Sequence, residues 1–67
     1  MNREDLIRAL RKYARKRDLR FDLDTKRGKG AHYIIIVGER RTTLQSNMSA
    51  HIIRLALKQL GIDPEDL

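Results

Sequence analysis

The sequence contains no cysteine, only one proline and no apolar run longer than five residues. Without cysteine the chain can form neither a disulfide nor a thiolate metal site, which fits a reducing compartment. The longest apolar run, Tyr33–Val37, is far too short to span a bilayer. No signal-like apolar segment stands at the start. We therefore expect a soluble, cytoplasmic protein that does not associate with membranes.

The chain is also short, with 67 residues. A chain of this length buries only about 60% of the surface that its unfolded form exposes, so its stability alone is marginal. We expect a single domain over 1–67, stabilised further by a partner protein or by homo-oligomerisation.

Positive charge dominates the composition and is unevenly distributed. Fifteen Lys and Arg residues stand against nine Asp and Glu, a net charge of +6. Residues 1–30 hold eleven basic and five acidic residues, whereas residues 31–67 hold four of each, so the whole excess lies in the first part. This asymmetry favours a polyanionic partner, most simply nucleic acid. The alternative is a surface whose charge only confers solubility.

Apolar periodicity predicts a first helix that begins after an Asn2 N-cap and ends near Arg17. The apolar face comprises Leu6, Ile7, Leu10, Tyr13 and Ala14. The opposite face is basic and comprises Arg8, Arg11, Lys12 and Arg15. The helix should therefore pack inward and present cations to solvent.

Three strands and a second helix are predicted downstream. Residues 19–24 alternate apolar and polar side chains, residues 31–37 are rich in β-branched side chains, and residues 41–44 follow a glycine-containing turn. The second helix follows a Ser49 N-cap and ends at Gly61. The order α-β-β-β-α predicts an α+β fold: a three-stranded antiparallel sheet with two helices on one face.

The central strand is apolar on both sides, although helices cover only one. The two sets are His32, Ile34 and Ile36 on one side, and Tyr33, Ile35 and Val37 on the other. The pattern does not decide which set faces the helices. Whichever set faces away should form an exposed apolar strip, and such strips mark contact surfaces.

A basic loop precedes the central strand and ends close to a histidine. Histidine titrates near neutrality, and a positively charged loop with glycines suits close contact with a phosphate backbone. The candidate residues for binding nucleic-acid phosphates are Lys26, Arg27, Gly28, Lys29 and Gly30 of the loop, with Arg11 and Arg15 of the first helix. The candidate catalytic residue is His32. We expect no cofactor and no metal, because His32 with Asp22 or Asp24 lacks a third ligand at suitable spacing.

Three short segments together resemble one protein family. Gly30-Ala31-His32-Tyr33, the strand Arg41-Thr42-Thr43-Leu44 and the ending Leu57-Lys58-Gln59-Leu60-Gly61-Ile62 are similar to the HicA toxins. These are small mRNA interferases of toxin–antitoxin systems, with a fold like that of double-stranded-RNA-binding domains. The resemblance implies that His32 is catalytic, that mRNA is the substrate and that a HicB-like antitoxin covers the active site or the exposed sheet face. The chain differs in having Tyr33 where many relatives have a second histidine, and Ala31 in place of the commoner serine.

In such an enzyme His32 would be the general base that deprotonates a ribose 2′-hydroxyl. Proton transfer of this kind typically accelerates a reaction by about 10²- to 10⁴-fold. Tyr33 is a poor general acid because it points to the other side of the strand. Two alternatives stay open. One is a non-catalytic RNA-binding module of the same fold, including an inactive, divergent toxin, in which His32 has only a structural role. The other is a DNA-associated or structural protein, although the chain has no recognisable DNA-reading motif.

Overall fold

A computed structural model describes residues 2–26 and 32–67. It confirms the predicted order of two helices and a three-stranded antiparallel sheet. The elements are α1 (Arg3–Lys16), β1 (Phe21–Asp24), β2 (Tyr33–Val37), β3 (Arg40–Leu44), α2 (Ala50–Leu60) and a short 3₁₀ helix (Pro64–Asp66). Within the described residues, no helix has the length and apolar character needed to cross a membrane.

Local side-chain chemistry explains where both helices begin. The Asn2 side chain accepts a hydrogen bond from the Asp5 N–H at 2.8 Å, and the Asp5 carboxylate accepts one from the Asn2 N–H at 3.4 Å. This capping box satisfies two donors that the first helical turn cannot pair. At α2 the Ser49 hydroxyl accepts from the Ile52 N–H at 3.3 Å. Both predicted N-caps are confirmed.

A left-handed residue follows each helix within two positions. Gly61 ends α2 with φ of 72°, and the next N–H, that of Ile62, donates to the Leu57 carbonyl at 2.9 Å. Asp18 has φ of 55° after α1, and the Leu19 N–H donates to a carbonyl of the last helical turn at 2.8 Å. Leu19 therefore belongs to the helix-ending motif. The strand predicted from residue 19 begins instead at Phe21.

The sheet has the strand order β1-β2-β3, so β2 is central and the other two strands are edges. Phe21 pairs with Val37 in β1–β2, and Val37 pairs with Arg40 in β2–β3. The tight turn between β2 and β3 begins with Gly38, whose φ is 65°. Paired residues of antiparallel strands point to the same face, so this register assigns every strand residue to a face.

One face of the sheet packs against both helices. The buried apolar residues of the helices are Leu6, Ile7, Leu10, Ala14, Ala56, Leu57 and Leu60. They form one cluster with Ile35, Val37 and Leu44 of the sheet, and with Met48 and Ile62. The sequence left open which side of β2 faces the helices. The structure shows that it is the side of Ile35, which is fully buried, whereas Ile34 and Ile36 are not.

The other face of the sheet, here called the open face, carries Ile34 and Ile36 of the central strand. Ile34 lies between Asp24 and Thr43 in the register, and Ile36 lies between Asp22 and Arg41. The neighbours of the two isoleucines on this face are all polar: Asp22, Asp24, Arg41 and Thr43. The apolar strip expected on the uncovered side of β2 therefore consists of two half-buried isoleucines, with polar side chains of the edge strands on both sides of them.

The assignment of faces predicts different stabilities for two identical substitutions in β2. We expect Ile35→Val to lower the free energy of unfolding by about 0.5–1.5 kcal/mol, because it removes a methyl group from a filled core. Ile36→Val should cost less than about 0.5 kcal/mol, because the side chain is partly solvated. Urea denaturation of both variants measures the difference. Equal losses would contradict the assignment.

Candidate nucleic-acid interface

His32 and Lys26 lie at one end of the sheet. Each is two residues beyond the Asp24–Ile34 pair, and both are exposed. His32 directly precedes β2, and alternation places it on the open face with Ile34. The Lys26 N–H donates to the Asp24 carboxylate at 2.9 Å, so the chain turns as it leaves β1. An exposed imidazole and a lysine therefore share this end of the sheet.

Tyr33 belongs to the helix-covered face, because it pairs with the buried Leu44. The guanidinium of Arg3, the first residue of α1, lies 3.7 Å from the centroid of the Tyr33 ring, a cation–π contact. The Arg3 side chain is only 12% exposed and also lies 3.7 Å from the Glu4 carboxylate. Sequence reasoning missed this contact, because periodicity within α1 carries no information about which strand residue the helix end meets.

The structure does not bring Arg11 and Arg15 close to His32. Both are exposed on α1, which covers the other face of the sheet. The Arg11 guanidinium lies 5.3 Å from the centroid of Phe21, which pairs with Val37 at the opposite end of β2. Val37 is five residues from His32, roughly 16 Å along the strand. A role for Arg11 and Arg15 in RNA binding stays a prediction, and it would involve a separate surface.

The remaining predicted loop residues, Arg27, Gly28, Lys29 and Gly30, lie outside the described residues. Their assignment as RNA-binding residues stays a prediction from the sequence. Of the predicted loop set, Lys26 alone is described.

The open face carries opposite charges on its two edge strands. Asp22 and Asp24 lie on β1, whereas Arg41 and Thr43 lie on β3. Asp22 is 3.6 Å from the guanidinium of Arg20, in a pair whose side chains are both more than half exposed. Solvent screens such a pair strongly. An anion that approaches the open face therefore meets Asp22 with its Arg20 partner on the β1 side and the Arg41 guanidinium on the β3 side.

A groove runs along the outer edge of β3, with a volume of about 550 Å³. It is lined by Ile34, Arg41, Thr42, Thr43, Gln45 and Gln59. The Thr42 hydroxyl donates to the Gln59 Oε1, which connects the edge strand to α2. Sequence reasoning missed this groove as a site. Alternation within β3 could have separated Arg41 and Thr43 from Thr42, but nothing local indicates that Gln59 meets this strand.

Acidic and imidazole side chains are dispersed over the surface. Among the residues that the structure describes, no three or more His, Asp or Glu side chains are grouped so that they could hold a metal ion.

Comparisons with protein-family models, with curated proteins and with solved structures found no match to this chain. The resemblance to the HicA family therefore stays a prediction that depends on the motifs around His32 and at the end of α2. The α-β-β-β-α order agrees with it, but one fold can host unrelated functions.

The Thr42–Gln59 hydrogen bond should contribute measurably to stability. We expect a double-mutant cycle of Thr42→Val and Gln59→Met to give a coupling free energy of about 0.5–1.5 kcal/mol, typical of a hydrogen bond that is partly shielded from water. Chemical denaturation of the four proteins measures it. A coupling indistinguishable from zero would show that β3 and α2 are held together by the apolar contacts alone.

Proposed function

We propose that the protein is the toxin of a toxin–antitoxin system and acts as a metal-independent endoribonuclease, an mRNA interferase, with His32 as its general base. The observation that carries the proposal is the position of His32. It is exposed, directly precedes the central strand and shares one end of the sheet with Lys26. Such a histidine is accessible to a long polymer and has a rigid strand behind it.

The reaction needs only one base to begin. The imidazole of His32 takes the proton of a ribose 2′-hydroxyl, and the 2′-oxygen attacks the adjacent phosphorus. The bond from phosphorus to the 5′-oxygen breaks, and water protonates that oxygen. The products are a 2′,3′-cyclic phosphate and a 5′-hydroxyl. Lys26, together with Arg27 and Lys29 of the same loop, would stabilise the charge that develops on the phosphoryl oxygens.

The proposal includes a protein partner and a compartment. A HicB-like antitoxin would cover the end of the sheet around His32 or the open face beside it, where Ile34 and Ile36 are only half-buried. Self-association through the same isoleucines is the alternative use of this face. Cleavage of mRNA places the protein in the cytoplasm.

A second candidate is a non-catalytic RNA-binding module. The observation that favours it is the orientation of Tyr33, whose ring contacts Arg3 on the helix-covered face. The phenolic hydroxyl beside His32 in sequence is therefore not available as a general acid. A lone base without a matched acid gives slow cleavage at best, and a protein with this arrangement can still bind RNA through its cations.

Expression in a bacterial host tests whether His32 is catalytic. We expect the native chain to arrest growth and fragment mRNA, and His32→Ala to do neither. His51→Ala is the matched control, because His51 is also exposed but lies on α2. Growth curves and RNA blots provide the two measurements. Equal toxicity of the native chain and His32→Ala, or harmlessness of both, would contradict catalysis by His32.

The chemistry is tested with purified protein and a short RNA in the presence of EDTA. We expect cleavage to continue, because the proposed base is the imidazole of His32 and no step uses a metal ion. One 2′-deoxy substitution at the cleaved nucleotide should abolish it, and mass spectrometry should detect a 2′,3′-cyclic phosphate. Cleavage of the deoxy-substituted strand would show that water or another group is the nucleophile. Binding of the RNA without any cleavage would favour the second candidate.

A further inference from the structure

We propose that single-stranded RNA leaves the His32 end of the sheet along β3, through the groove at its outer edge, with Arg41 as a phosphate contact. Asp22, on the β1 side of the open face, would disfavour the opposite path. This inference rests on the proposed function and adds a direction and a binding residue to it.

The direction of the RNA is inferred from the charged residues on either side of Ile36. Asp22 and Arg41 are its two cross-strand neighbours, on opposite sides of the same face. Directly opposed residues in a sheet have Cβ atoms about 4.5–5.5 Å apart, so both charges lie within reach of anything bound over Ile36. A phosphate gains attraction by moving toward β3 and the Arg41 guanidinium, whereas on the β1 side it meets Asp22, whose negative charge is offset in part by Arg20 at 3.6 Å.

Arg41 is suited to be that contact. It is exposed and forms no ion pair with any residue that the structure describes. Its guanidinium can donate two parallel hydrogen bonds to a phosphate. Ile36, its partner in the register, is four residues from His32, roughly 13 Å along β2. Arg41 therefore contacts a phosphate away from the one that is cleaved, and its role is binding.

Polar side chains occupy the space between Arg41 and the His32 end. Thr43 pairs with Ile34, and Gln45 follows the Tyr33–Leu44 pair, so both lie progressively closer to His32. With Gln59 they line the groove and offer hydroxyl and amide groups to ribose and base edges, while Ile34 provides an apolar surface. The volume of about 550 Å³ lies within the range of about 300–1,000 Å³ typical of ligand sites.

The test measures binding of a fluorescent single-stranded RNA by anisotropy, in a His32→Ala background so that the RNA stays intact. We expect Arg41→Gln to weaken binding about fivefold to tenfold, and to reduce the slope of log K against log salt by about 0.7, the loss of one phosphate contact. Arg54→Gln is the matched control, because Arg54 is exposed on α2. It should change neither quantity. Asp22→Asn should tighten binding, because it removes a repulsive charge.

Several results would overturn the inference. One is an Arg41→Gln variant that binds RNA as well as Arg54→Gln does, and another is weaker binding by Asp22→Asn. A third is an Arg41→Gln variant that binds RNA normally but has lost self-association in light scattering, which would assign this surface to a second copy of the chain. Thermal denaturation of each variant separates lost binding from lost folding.

Failure of the proposed RNA path can be distinguished from failure of the proposed nuclease function. RNA binding that depends on Arg41, without cleavage by the native protein, would support the β3 path and contradict the nuclease. Cleavage by the native protein with the KM unchanged in Arg41→Gln would support the nuclease and contradict the path. Failure to bind RNA at all would contradict both.

Discussion

In the part of the chain that the structure describes, the fold depends on a sheet whose two helices cover the same face. Both helices pack their apolar residues against Ile35, Val37 and Leu44, which leaves every second residue of each strand in contact with solvent. A small chain gains most of its stability from one such interface, since it has too few residues to cover a second face. The same arrangement leaves a flat surface of backbone-supported side chains free for a ligand, and rigid strands position those side chains more accurately than a loop would.

The one-sided core also determines which charges act together. α1 carries much of the positive charge, but it lies on the far side of the sheet from the open face, and Arg11 is near the end opposite His32. Net charge is therefore a poor guide to the site. The local contrast between Asp22 and Arg41 gives direction to an approaching anion, whereas the α1 cations contribute only to its long-range attraction, which salt screens beyond a Debye length of about 8 Å.

Features determined by neighbours in sequence were predictable, and features determined by contacts between elements were not. The caps at Asn2, Ser49 and Gly61 and the order of elements follow from local patterns, and the structure confirms them. The predicted start of β1 was wrong. Asp18 adopts a left-handed conformation, and the Leu19 N–H therefore bonds to the last turn of α1 instead of joining the strand. The helix-covered face of β2 could not be chosen, because both of its sides are apolar. The polar residues of the edge strands show which side of β2 faces solvent, but only once the register of the strands is known.

The register of β3 links the groove to the core. Thr42 and Leu44 point toward the helices, and Arg41 and Thr43 point away. A slip of one residue would move Leu44 into water and Arg41 into the core, so burial of a leucine holds the arginine on the open face. The hydrogen bond from Thr42 to α2 opposes the same slip. Stability and the proposed RNA contact thus use alternate residues of one strand: inward positions determine where the outward side chains stand, and outward positions can vary with little effect on the core.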